Sequence, residues 1–225
     1  MRTVLPKSNL MLTIVVSVSS AFTMAQDGND LITAVAYQDL DKVKSLIEAG
    51  VDINYQDSYG STALIMACQY DFVDIGRQLV EAGADLSIRS KSGHTPLMAA
   101  AQASEELFDL LVSRGADMSV KLKDGTSAFT LSISGALSER IGLGIAKKLL
   151  DNGADVDESA TSGPTEGYTC LMMAARNQRP DIVNFLVEEG ADVNASAADG
   201  NTPLSLAEEE DDQEMVALLK QLGAK

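Results

Sequence analysis

His94 is the single histidine of a 225-residue chain, and Cys68 and Cys170 are its two cysteines. A zinc site needs three or four nitrogen or thiolate ligands at suitable spacing, and neither cysteine sits in a paired motif. A serine nucleophile would have to recruit His94, which lies between Gly93 and Thr95 with no recognisable acid partner. Gly142, Leu143 and Gly144 form a lone fragment with no strand before it, so no phosphate-cradling loop is indicated. No catalytic residue, cofactor or metal is therefore expected. The side chains left to carry function are cations and rings: Arg89, Lys91, His94, Lys121 and Lys123 follow closely on Tyr59 and Tyr70. That local basic run stands out because 17 Lys+Arg face 33 Asp+Glu, a formal net charge of −16. Such a charge repels phosphate backbones and anionic lipid, which excludes nucleic acid as a partner.

These residues are positioned by a unit written about six times. The strings EAGVDIN (48–54), EAGADLS (81–87), SRGADMS (113–119), DNGADVD (151–157) and EEGADVN (188–194) carry glycines at 50, 83, 115, 153 and 190, in steps of 33, 32, 38 and 37 residues. A second series, GSTAL, GHTPL, GTSAF, GYTCL and GNTPL, starts at glycines 60, 93, 125, 167 and 200. Self-similarity at this period defines a solenoid in which each unit buries its apolar face only against its neighbours.

Thr62, Thr95, Ser127, Thr169 and Thr202 can cap helix starts, with Pro96 and Pro203 at the first helical position. Small residues, such as Ala67 with Cys68 and Ala174 with Ala175, let this inner helix approach its neighbour closely. A second helix carries paired apolar residues, Leu46 with Ile47 through Leu186 with Val187, and ends at the repeat glycine, before a finger of about ten residues. Met66, Met98, Met172 and Met173 read as core packing. The acidic run 208–214 could hold a cation or a basic peptide, but reads as a solvated face.

The motifs TPLMAA (95–100), TCLMMAA (169–175), PDIVNFLVEEGADVN (180–194) and NTPLSLA (201–207) resemble the ankyrin-repeat family across residues 27–225. The resemblance implies an all-α solenoid of helix-turn-helix units with finger hairpins or loops, in units of about 27–57, 58–90, 91–122, 123–164, 165–197 and 198–225. It also implies a non-catalytic scaffold, a monomer binding a protein partner through its fingers and inner helices. On that surface fall Tyr59, Tyr70, Arg89, Lys91, His94, Lys121, Lys123, Tyr168 and Arg176. The family's histidine after Thr-Pro-Leu is replaced here by Ile65, Met98, Thr130, Met172 and Ser205, so its loop-tying hydrogen bonds must be absent or replaced.

The fourth unit is enlarged twice, around residues 133–144 and 158–167. Insertions map to loops, so these are candidates for recognition, with tolerated surface variation as the alternative. Residues 1–25 run from Arg2 and Lys7 through the apolar block Leu10–Val18 to small residues ending at Ala25, the order of a secretory signal peptide. Cleavage there leaves a chain from Gln26 to Lys225 with no membrane segment, in the periplasm or outside the cell. The function expected is an exported binding adaptor. A secreted, host-directed interaction protein and a hydrolase with a site in the enlarged fourth unit are the alternatives.

Overall fold

The computed structural model describes residues 28–163 and 165–225. The leader, its cleavage point and Gln26 lie outside them. Twelve helices occur among the described residues, paired unit by unit: α1 (28–36) with α2 (Leu40–Glu48), α3 (Ala63–Gln69) with α4 (Val73–Glu81), and α5 (Pro96–Ala103) with α6 (Glu105–Ser113). The second half pairs α7 (Ala128–Leu137) with α8 (Gly144–Asp151), α9 (Cys170–Arg176) with α10 (Pro180–Glu188), and α11 (Pro203–Glu209) with α12 (Gln213–Gln221). Odd-numbered inner helices stack on one another, even-numbered outer helices stack behind them, and extended fingers join the units. Two isolated antiparallel bridges, Lys121 with Ser127 and Ser159 with Thr169, are the β-type pairings among the described residues.

Each inner helix starts for the reason its sequence suggests. The hydroxyls of Thr62, Thr95, Ser127, Thr169 and Thr202 accept from the amides of Ile65, Met98, Thr130, Met172 and Ser205 at 3.1–3.3 Å. The missing histidines are replaced at two of those positions. Thr130 and Ser205 accept in return from the amides of Ser127 and Thr202, completing capping boxes. At Ile65, Met98 and Met172 the side chain is simply buried. Small residues close the inner layer, and one leucine per outer helix, Leu46, Leu79, Leu111, Leu149, Leu186 and Leu219, closes the back. Full burial of each contributes about 1.5–3 kcal/mol.

The fingers are strung together by local and neighbour bonds. Asp52, Asp85, Asp117, Asp155 and Asp192 each accept the amide two residues on, which explains the recurring aspartate. Asn54 and Asp157 then accept the amides of Asp85 and Asp192 in the following unit. Backbone bonds link successive tips: Lys91 N donates to Tyr59 O at 2.9 Å, and Ala198 N to Glu166 O at 3.2 Å. Gly60 permits the first of these, since its φ is +70° and a Cβ there would lie 2.8 Å from Lys91 N.

The enlargements fall largely in loops, and both are tied to the solenoid by hydrogen bonds. The first lengthens α7 to ten residues and adds a connection whose Arg140 donates to Gln69 O, two units away, at 3.0 Å. Arg179, paired with Asp181, donates to the end carbonyls Ala136 O and Leu137 O at 2.8 and 3.2 Å. The second forms an arm along the fourth finger, with Thr161 N donating to Asp124 O at 2.8 Å.

Both cysteines are free and buried. Burial holds each thiol far above its usual range, with Asp71 adding to this at Cys68, and Glu158 and Asp157 at Cys170. Neither is expected to react with a thiol reagent at pH 8 until denaturant is added, when both should. Labelling of the folded protein, or an intramolecular disulfide in a non-reducing peptide map, would contradict the repeat register.

Candidate protein-binding surface

Between the second and third fingers the chain forms an open cavity of about 210 Å3 lined by Tyr59, Ser61, Ile65, Gln69, Ser90, Ser92, His94, Ala99 and Gln102. The finger supplies hydroxyls and a ring, and the inner helices supply two amides and an apolar floor. Ser90, Ser92 and His94 form a chain, Oγ to Oγ at 2.8 Å and Ser92 Oγ to His94 Nδ1 at 2.9 Å, which stiffens the finger tip. Gln102 Nε2 donates to Ser134 Oγ at 3.3 Å and leads to a second cavity of about 250 Å3, lined by Asp124, Thr130, Leu131, Ser134, Tyr168 and Met173 among others. Two depressions thus lie along the finger side, separated by the α5–α7 contact.

The nine residues singled out from the sequence are not all available to a partner. Tyr59 is 76% exposed and lines the first cavity. Lys91 and Lys123 are exposed, and no acidic partner reaches either among the described residues. Burial depresses the His94 pKa, with Asp124 pulling the other way, so at neutral pH His94 contributes a hydrogen-bonding ring and not a positive charge. Hydrogen bonds from the Ser119 hydroxyl and amide hold the Asp117 carboxyl below its usual range, and the nearby Arg89 adds to this. Lys121 pairs with Glu158 at 2.7 Å, and Arg176 with Glu210 at 3.5 Å. Tyr168 is 8% exposed; its hydroxyl donates to Asp199 at 3.1 Å and accepts from Asn201 at 2.9 Å, tying the fifth finger to the sixth. Tyr70 caps the far end of α3 and stacks on Phe72 with ring centroids 5.7 Å apart, and it is not part of the Tyr59 cavity lining. Of the expected basic patch, Arg89, Lys91 and Lys123 are exposed without an ion pair among the described residues, while Lys121 is paired.

Gln69 and Gln102 lie where an inner-helix binding surface is expected, whereas sequence reasoning missed Ser134, which has no signature beyond its place on an inner helix. It also missed Glu158, a buried carboxylate. Its signal was a charged residue opening an insertion. Among the described residues no cluster of His, Cys, Asp and Glu could hold a metal ion.

The family model described as Ankyrin repeats (3 copies) matches residues 31–122 and 136–225. The chain belongs to the ankyrin-repeat family. Unmatched residues 123–135 open the enlarged fourth unit. The chain is similar to a putative ankyrin repeat-containing protein of Treponema pallidum, 28% identical over 119 residues, which is 53% of this chain and 37% of that protein. It is also similar to the Drosophila melanogaster ankyrin repeat and KH domain-containing protein mask, 32% identical over 103 residues, 46% of this chain and 2% of that protein. The matches thus span a minor share of these curated relatives. Among solved structures, the human ASB11 ankyrin repeat domain superposes with a TM-score of 0.73 at 27% identity, covering 87% of this chain and 84% of that one. A chain from the complex of the predatory endopeptidase Bd0816 of Bdellovibrio bacteriovorus with immunity protein Bd3460 superposes at 0.71 and 26% identity, covering 85% and 97%.

Proposed function

We propose that this ankyrin-repeat protein is an exported, non-catalytic adaptor that holds one protein partner along its second, third and fourth fingers. The observation carrying this reading is the Tyr59 cavity, an exposed ring, amide side chains and an apolar floor, together with Lys91 and Lys123 on the third and fourth fingers, two cations with no acidic partner among the described residues in a chain of net charge −16. Uncompensated cations in an acidic protein favour a carboxylate- or carbonyl-rich patch on the partner. Support for a protein as the ligand comes from the family and from the enzyme–immunity protein complex in which a similar chain occurs. Export rests on the order of residues 1–25.

Affinity capture from the exported fraction, followed by binding kinetics with the recovered protein, tests the reading. Charge at a rim steers encounter, so Lys91→Glu with Lys123→Glu should slow association several-fold and weaken its salt dependence. A desolvated tyrosine holds a complex together, so Tyr59→Ala should speed dissociation about tenfold or more. Amino-terminal sequencing should begin at Gln26. Parent-like binding by both variants would move the interface elsewhere, and an intact Met1 in the membrane fraction would replace export by anchoring.

A further inference from the structure

Tyr37, Tyr59 and Tyr70 are the three large apolar side chains exposed among the described residues. Two of them occupy one structural position in successive units. Tyr37 ends α1 and precedes Gln38 at φ 56°, while Tyr70 ends α3 and precedes Asp71 at φ 57°. The same left-handed residue follows the inner helix in three other units, as Glu139, Gln178 and Asp211, and there the preceding residues are Ser138, Asn177 and Glu210. The tight turn needs no ring, since polar residues serve it in the second half of the chain. Tyr37 is 81% exposed and Tyr70 56%, so neither is there for the core.

The residues that follow them, Gln38 and Asp71, line a cleft of about 310 Å3 with Leu40, Phe72, Val73, Asp74 and Ile75, at the ends of α1 and α3 remote from their capped starts. Leu40, Phe72 and Val73 are half-buried and give it an apolar wall, and Phe72 stacks under Tyr70. Asp71 and Asp74 lie in the lining with no cation within ion-pairing distance among the described residues. Arg140 of the fourth unit donates to the carbonyl of Gln69, the residue before Tyr70.

We infer that this cleft is a second docking surface, separate from the finger groove, and that it takes a basic segment of another protein in which Lys or Arg alternates with an aliphatic side chain. The chemistry selects that occupant. Ring faces attract cations, most strongly for desolvated guanidinium and ammonium groups, and Asp71 and Asp74 supply the countercharge. The Leu40 and Phe72 wall takes the aliphatic neighbour, and exposed tyrosines at a cleft rim are the usual binding anchors. A second copy of this chain is a poor occupant, because a net charge of −16 opposes self-association and acidic edge would meet acidic edge.

The test is a titration of the isotope-labelled full-length protein with a 12-residue peptide of alternating Lys and Leu, with an alternating Glu and Leu peptide as control. Saturable shift changes should centre on Gln38, Asp71, Phe72 and Asp74, and be absent with the control. Tyr37→Ser with Tyr70→Ser, which installs the residue type found at Ser138, should weaken binding about tenfold or more while circular dichroism stays unchanged. Asp71→Asn with Asp74→Asn keeps the shape and should remove most of the salt dependence. Tyr59→Ala, in the finger groove, should leave this binding as it was. The inference is overturned by shift changes centred on the acidic run 208–214, by equal loss with Tyr59→Ala, by parent-like affinity in the tyrosine pair, or by sedimentation showing a dimer that the tyrosine pair dissolves.

Discussion

Replacing Gly135 by leucine is expected to lower the thermal midpoint by about 6–12 °C, from a loss of about 3 kcal/mol at about 2–4 °C per kcal/mol for a chain of this size. Gly135 lies in α7 where a Cβ would sit 2.5 Å from Gln102 O and 2.9 Å from the Ile141 side chain. Ile141 can shift, whereas the Gln102 carbonyl belongs to α5 and moves only with the whole helix. The substitution therefore separates α5 from α7. In a solenoid each unit is stabilised mainly by its nearest neighbours, so a weakened junction between the third and fourth units should split unfolding into two steps. Gly142 is the control, because nothing lies within 4 Å of a Cβ built there. Gly142→Leu should move the midpoint by about 1 °C or less. If Gly135→Leu unfolds within about 3 °C of the parent as one transition, the two helices are not held at that approach.

The same junction separates the two finger-side cavities, with Gln102 on one side and Ser134 on the other. Gly135→Leu should thus disturb recognition by a partner spanning the second to fourth fingers, although the residue touches neither cavity.

The helix starts were legible because a capping hydroxyl, a first-turn proline and a terminal glycine are local signals, and all five hydroxyls named from the sequence cap as expected. Which finger residues stay free was much less legible. Lys121 and Lys123 are two positions apart and look alike in sequence, yet Lys121 meets a carboxylate from the following insertion while Lys123 does not. Tyr59 and Tyr168 are both finger tyrosines, three and one residues before their capping Thr, but Asp199 and Asn201 of the next finger draw Tyr168 inward. Such distinctions depend on what the neighbouring unit presents about thirty residues away, which periodicity does not encode. The equivalence of Tyr37 and Tyr70 could have been read by aligning the ends of the inner helices, where Tyr-Gln and Tyr-Asp precede the outer helices.

Lys121→Met is expected to cost more stability than Glu158→Gln, although Lys121 is the more exposed partner. The Glu158 side chain is 5% exposed against 54% for Lys121; its Oε2 accepts from Ser127 Oγ at 2.9 Å, and its Oε1 has the ammonium at 2.7 Å but off the hydrogen-bonding direction. Removing the lysine leaves a buried carboxylate with one hydrogen bond and no countercharge, a loss that reaches about 3–5 kcal/mol for fully buried pairs and about 2–3 kcal/mol for this half-exposed cation. Replacing the glutamate returns Lys121 to water, and the amide oxygen still accepts from Ser127, so about 1 kcal/mol is expected. The double variant should recover most of the Lys121→Met loss, because no buried charge remains. Urea denaturation of the three variants measures this order. Amide exchange locates it, since Thr161, whose amide donates to Asp124 O, and Gly167, whose amide donates to Ala160 O at 2.7 Å, should lose protection first as the arm detaches from the fourth finger. A Lys121→Met loss no larger than that of Glu158→Gln would mean that the carboxylate is solvated and the arm is held by its backbone bonds alone.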